Sequence, residues 1–270
     1  MRDSPVKDIE INSKTTLSEL NSQFSDTGGF VASKVATATS IINDMLNDDC
    51  TKFLSFPADI MATGTRGLVR QFVDNNNVDV LVTTCGTLDH DIARVLTDYY
   101  QGDFMMDDKQ LREEGVNRLG NVLVPDDSYG IPIENWIQPI LSELYDNEKQ
   151  WAPWKIWNEL GLRLAEEDKG SESLLAICAK KGIKLFVPGP TDGAVGSQLW
   201  MFWQTHKDFT LDILAEEHEL SDIVHEAKSS GAIMIGGGIS KHHTIWWNQF
   251  NDGLDYAVQV TTAPGWDGSL

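Results

Sequence analysis

Residues 232–243 read AIMIGGGISKHH, an apolar run that stops on three glycines and gives way to a polar segment with two histidines. A short, unbroken apolar run is what a strand buried on both faces looks like. Glycines at its carboxyl end let the backbone approach a ligand with no Cβ in the way. Four further stretches share the design: FLSF at 53–56, VDVLVTT at 78–84, IKLFVPG at 183–189 and DYAVQVTTA at 255–263. Three of these run on into TTCGTLDHD, PGPTDGAVG and TTAPGWDGS. Between the runs, apolar residues at spacings of three and four predict helices at 35–48, 64–75, 133–146, 153–167, 171–181 and 209–228. Alternating strands and helices predict an α/β fold: a Rossmann-like, largely parallel sheet with helices on both faces. A single domain over 16–270 is expected, after a polar and loosely held N-terminal segment at 1–15. In such a sheet ligands collect outside the carboxyl ends of the strands, so the polar strand ends predict one shared crevice.

At 270 residues and 30.0 kDa the chain can bury one substantial core. No apolar run is long enough to span a bilayer, and MRDSPVKDIEINSK has no apolar leader region, so a soluble, cytoplasmic protein is expected. Cys50, Cys85 and Cys178 are too few and too scattered for a disulfide framework or a CxxC metal site. Acidic residues outnumber basic ones 41 to 21, a net charge of -20 that opposes binding to a phosphate backbone and argues against nucleic acid as a partner. The excess has two readings, a solvated surface or a field that gathers a polycation, and charge leaves both open.

Gly236, Gly237 and Gly238 do not form a GxGxxG fingerprint, and taken alone suit a tight turn as well as a cofactor site. His242 and His243 are adjacent and point apart on any regular backbone, which makes them poor joint metal ligands; no metal is expected. One of them suits a proton acceptor and the other a packed or solvated position. Asp192, in TDGAVG, could bond its own turn, and Asp89, His90 and Asp91 could cap the following helix or form an anionic wall facing an amine.

Taken together, VDVLVTTCGTLDHDIARVL, EEGVNRLGNVLVPDDSY, LFVPGPTDGAVG, IMIGGGISKHH and DYAVQVTTAPGWDGS resemble the successive signature segments of deoxyhypusine synthases, in the same order and at similar spacing. The likeness runs from about Val6 to Leu270 and includes DTGGF at 26–30. It implies that NAD oxidises spermidine and that the aminobutyl part passes, through an imine on an enzyme lysine, to a lysine of the hypusine-bearing translation initiation factor 5A. It further implies NAD contacts at Ala58, Asp59, Ile60, Met61, Ala62, Thr84, Cys85, Gly86, Asp192, Gly237, Thr262 and Ala263, and polyamine contacts at Asp89, His90, His242, Gly268 and Ser269. His242 would be the catalytic base, Asp192 would sit with the ribose, and the assembly would be a homotetramer.

The sequence departs from that family at three places. Asp89 and His90 stand where the family commonly has two glutamates, and Ser197 where it has an aspartate, so two carboxylates expected to hold ammonium groups are replaced. The family's nucleophilic lysine lies in a Trp-Gly-Lys segment downstream of the DGS turn, beyond Leu270, and Lys241 belongs to a different motif. Transfer by the 270-residue chain alone is therefore not expected. Two alternatives accompany the main reading: a homospermidine synthase-like aminobutyl transferase that makes a free polyamine, and an inactive regulatory subunit.

Overall fold

The five apolar runs become one parallel sheet. In the computed structural model, which describes residues 5–264, the strands are β1 (Thr51–Ser55), β2 (Val80–Val82), β3 (Tyr100–Gln101), β4 (Val116–Leu119), β5 (Val122–Pro125), β6 (Gln150–Trp151), β7 (Lys184–Phe186), β8 (Thr210–Leu211), β9 (Ser230–Ile235) and β10 (Tyr256–Val260). The main sheet has the order β10-β9-β1-β2-β7, and every neighbouring pair in it is parallel. Alternate residues feed two apolar layers: Leu54, Leu81, Leu185 and Ile233 on one face, Phe53, Val80, Val82, Phe186, Ala232 and Met234 on the other. Burial on both faces explains why these strands read as continuous apolar runs. The chain lays down β1, β2 and β7 in one direction, then returns to add β9 and β10 on the far side of β1. A reversal of this kind opens a crevice between the loops that follow the two diverging strands, here β1 and β9.

Helices Ala32–Asn47, Arg66–Asp74, Gly130–Asn147, Pro153–Leu164, Leu174–Lys181 and Ile213–Glu226 lie where apolar spacing predicts them. Three more, Cys85–Leu96, Ala194–Thr205 and Gly238–Asn248, start directly at strand ends that read from sequence as polar turns. Their first turns are rich in Gly, Thr, Asp and Ser, which hides apolar spacing that continues through Leu88, Ile92 and Val95, or through Val195, Leu199 and Phe202. The antiparallel ribbon β3-β5-β4 and the short parallel pair β6-β8 are too brief for a periodic signal. The polar N-terminal segment is tied down by polar bonds: the Lys7 ammonium pairs with Asp26, and Glu10 exchanges two hydrogen bonds with the Gln23 side chain. Among the described residues no helix is long and apolar enough to cross a membrane.

Each helix begins with backbone N–H groups that have no partner within the helix. Buried carboxylates meet several of them. Asp91, on the Cys85–Leu96 helix, is fully buried and accepts from Leu175 N (2.9 Å) and the Ser173 hydroxyl (2.7 Å) at the start of the Leu174–Lys181 helix. Its remaining charge is matched by Arg66, also buried, whose Nε lies 2.9 Å away. Glu216 accepts from Trp154 N (2.6 Å), in the first turn of Pro153–Leu164, and from Val187 N just beyond β7 (3.4 Å). Burial pushes its carboxyl up to about 8 against the pull of those two donors.

Removing one member of a buried ion pair leaves the other charged and uncompensated. Arg66→Met should therefore lower unfolding free energy by about 3–5 kcal/mol, measured by urea denaturation at neutral pH.

Candidate functional site

Three loops pack against one another at the carboxyl edge of the sheet. The loop after β1 is sandwiched: a Cβ on Gly86 would sit 2.8 Å from Ala58 Cβ, and a Cβ on Gly236 would sit 3.2 Å from the Pro57 ring. The loops after β1 and β2 are also cross-bonded, with Ala58 N donating to Thr84 Oγ1 (3.2 Å) and the buried Thr83 hydroxyl donating to Phe56 O (2.8 Å). Arg94 holds the far end of the β1 loop by donating to Met61 O (2.9 Å) and Thr63 O (2.6 Å).

Opposite that loop stand Gly236, Gly237 and Gly238. Gly236 and Gly238 have φ of +74° and +73°, a region that favours glycine. A Cβ built on Gly237 or Gly238 meets nothing within 4 Å. The Gly238–Asn248 helix starts there with no side-chain cap on its first N–H groups among the described residues, and such an end attracts negative or hydrogen-bond-accepting groups. Open space, a helix start with no side-chain cap among the described residues and the reversal of strand order coincide at this point.

His242 is exposed on the second turn of that helix, stacked on the Trp246 ring at 5.8 Å between centroids. His243 faces inward, with Nε2 3.3 Å from a Glu217 carboxylate oxygen that also accepts from Trp247 Nε1 (2.7 Å). Glu217, on the Ile213–Glu226 helix, thereby fixes the rotation of the helix that carries His242. One histidine is thus open and the other packed.

Asp89 is 1% exposed and lies inside the Cys85–Leu96 helix, where it does not cap that helix. Its carboxylate accepts from Ala194 N (2.8 Å), Val195 N (2.8 Å) and the Tyr129 hydroxyl (2.7 Å). Burial raises its pKa, opposed by those three donors. Two of these bonds fall on Oδ2 and one on Oδ1, so the carboxylate is directed to the start of the Ala194–Thr205 helix and to Tyr129. His90 bonds the Tyr99 hydroxyl through Nδ1 (2.9 Å) and packs on the Tyr129 ring; burial lowers its pKa to about 4, so it is neutral at pH 7.

Among the other expected contacts, Ala58, Ile60, Thr84, Gly86 and Gly237 border the crevice loops, and Asp59, Asp192, Thr262 and Ala263 are exposed at strand ends. Met61 and Ala62 are buried in the core at 0% and 2% exposure. Cys85 is likewise buried, its thiol directed to Pro190 O (3.4 Å) and its pKa raised by burial. Gly268 and Ser269 lie outside the described residues. Tyr129, Arg94 and Glu217 were not anticipated; each acts on a distant segment, and no local spacing signals that.

Comparison with known proteins gives a consistent picture. The family model described as deoxyhypusine synthase matches residues 19–270. Proteins described as "probable deoxyhypusine synthase" from Picrophilus torridus and Thermoplasma volcanium are each 56% identical over 266 residues, covering 98% of this chain and 84% of theirs. One from Ignicoccus hospitalis is 44% identical over 271 residues, covering 98% of this chain and 83% of its own. The crystal structure of a candidate deoxyhypusine synthase from Entamoeba histolytica shares the fold, with a TM-score of 0.68 at 22% identity, covering 96% of this chain and 88% of its own.

The depressed pKa of His90 has a consequence for stability. A histidine held neutral in the folded state stabilises fully above its unfolded value of 6.5, and that contribution is lost as pH falls toward about 4. Urea unfolding across that window should show the unsubstituted chain losing stability relative to His90→Gln, by at most about 1.4 kcal/mol per pH unit. Parallel curves for the two proteins would contradict it.

Proposed function

The chain belongs to the deoxyhypusine synthase family, a family of transferases, and on that premise we propose that it binds NAD and a linear polyamine in the crevice between the loops after β1 and β9. The reaction proposed is transfer of the aminobutyl group of spermidine to a lysine of translation initiation factor 5A. The observation that carries the reading is the open backbone at Gly237 and Gly238, set where the strand order reverses.

These residues suit NAD: a side chain at either glycine would fill space that a ribose or phosphate needs, and the start of the Gly238–Asn248 helix, with no side-chain cap among the described residues, suits a pyrophosphate. When bound, NAD supplies the two-electron oxidant for the carbon that bears the amine. The chain's own residues do the rest. Asp192, exposed on the turn after β7, would accept from ribose hydroxyls. The loop Pro57–Ala58, held by Gly86, Gly236 and Thr84, forms the opposite wall. His242 takes the proton as the amine becomes an imine, with Trp246 stacked beside it as an apolar guide for the methylene chain. A net charge of -20 raises the local concentration of a polycation. Exposed Trp200, Trp203 and Trp246 offer apolar anchors for the homotetramer included in this proposal.

One observation favours a second reading. His90 is neutral and bonded to Tyr99, and the Ser197 hydroxyl bonds Gly193 O (3.0 Å), so neither position offers the carboxylate that the family commonly has. A pocket with fewer anionic groups suits a different or shorter amine, and with it a homospermidine synthase-like aminobutyl transferase that makes a free polyamine. Supplying putrescine and the translation factor as competing acceptors separates the two.

Added NAD should raise the melting temperature, because a ligand that binds only the native state stabilises it. Asp192→Ala should shrink the shift. Gly237→Val should abolish it while costing the free protein about 1 kcal/mol or less for a poorer N-cap, since the new side chain enters open space. No shift with the unsubstituted chain would sink the cofactor assignment. His242→Gln should slow amine oxidation about a hundredfold to ten-thousandfold with NAD affinity unchanged, read by single-turnover absorbance of reduced cofactor.

A further inference from the structure

The turn between β7 and the Ala194–Thr205 helix is gripped at both ends by one helix. At its start, the Cys85 thiol is directed to Pro190 O (3.4 Å). At its end, the Asp89 carboxylate takes the N–H groups of Ala194 and Val195, each at 2.8 Å. Between these anchors lies Thr191–Gly193, which includes Asp192. Contact is close enough that a Cβ on Gly193 would fall 2.5 Å from Asp89 Oδ2 and 2.9 Å from Cys85 Sγ. A third donor, the Tyr129 hydroxyl at 2.7 Å, reaches Asp89 from the residue preceding the Gly130–Asn147 helix and leaves the carboxylate little freedom to turn. The Ala194–Thr205 helix has glycine at its N-cap, so Asp89 supplies from a distance the acceptor that a local Ser or Asp would normally provide.

We propose that Asp89 and Tyr129 are positioning residues that hold the Asp192 turn in its ligand-ready shape, and that Asp89 does not itself contact the amine. The proposal rests on the assignment of Asp192 to the cofactor. Asp89 is turned to the protein and away from any open ligand: at 1% exposure Oδ2 accepts from Tyr129 and Ala194 and Oδ1 from Val195, which leaves at most one enclosed acceptor direction. Its effect passes through the backbone: when the two N–H groups at 194 and 195 lose their acceptor, the first helical turn frays and Asp192, directly before it, loses its fixed direction.

The test uses two variants and two kinds of measurement. Asp89→Asn keeps the size but places an amide NH₂ where an acceptor is needed. Tyr129→Phe keeps the ring and removes only the hydroxyl, so it serves if the first variant fails to fold. Amide hydrogen exchange is followed at Ala194 and Val195, and NAD affinity is followed by quenching of tryptophan fluorescence. The expected result is faster exchange at those two amides and about five- to tenfold weaker NAD binding in Tyr129→Phe, more in Asp89→Asn, with the polyamine KM at saturating NAD unchanged. A raised polyamine KM with NAD affinity intact would overturn the proposal and make Asp89 an amine contact. Unchanged exchange at both amides would also overturn it. If the unsubstituted chain binds no NAD, the cofactor reading fails, and the exchange measurement still decides whether Asp89 holds the turn.

Discussion

A parallel sheet sends every following helix off the same edge, so unpaired N–H groups accumulate there, and the architecture depends on how they are met. At three helix starts in this fold, one of them directly after a strand of the main sheet, a partner is a carboxylate delivered from another element. Asp89 serves the Ala194–Thr205 helix, Asp91 the Leu174–Lys181 helix, and Glu216 the Pro153–Leu164 helix. The first two sit two residues apart on one helix, which thereby becomes the hub to which two neighbours are fastened. The Gly238–Asn248 helix, at the reversal of strand order, has no such side-chain cap among the described residues. The same chemistry that makes a helix end a liability in a core makes this one an anion-accepting group at the crevice.

Part of the acidic excess is therefore internal. A surface explanation covers most of the 41 acidic residues, but Asp89, Asp91 and Glu216 are at most 4% exposed and act as hydrogen-bond acceptors. Burial raises Asp89 and Glu216 toward the neutral form, so they add less to the field outside than a formal count suggests. The exposed remainder is what a polycation would meet.

The five strands, their parallel arrangement and six of the helices were legible because burial on both faces leaves continuous apolar runs and burial on one face leaves a 3.6-residue period. The glycines at the end of β9 were legible as a strand end of unusual composition, whereas the roles proposed for Gly237 and His242 came from the family resemblance. The roles of Asp89, Met61 and Cys85 were not. Which way a residue points depends on the element that contains it, and TTCGTLDHD reads as a loop although it turns helical at Cys85. Once Cys85 starts a helix, its thiol and the Asp89 carboxylate lie four residues apart on the same side, both toward the β7 turn. Long-range partners such as Tyr129 and Glu217 leave no trace in local spacing, because the contact is made by the fold and not by the neighbouring sequence.

The placement of β9 beside β1 also governs the order in which the molecule can assemble. Strands β1 and β2 pair Phe53 with Val80, a short separation along the chain, whereas β1 and β9 pair Phe53 with Ala232. During synthesis from the N-terminus, β1, β2 and β7 can associate while the far half of the chain is still unmade. Until β9 arrives, β1 is an edge strand with a row of unpaired backbone groups, open to wrong partners. Closing that edge is the slow, non-local step in forming the sheet, and the same step brings Gly236 against Pro57. The crevice is thus completed by the event that removes the nascent chain's exposed strand, so a molecule with a finished site has also passed its most aggregation-prone stage.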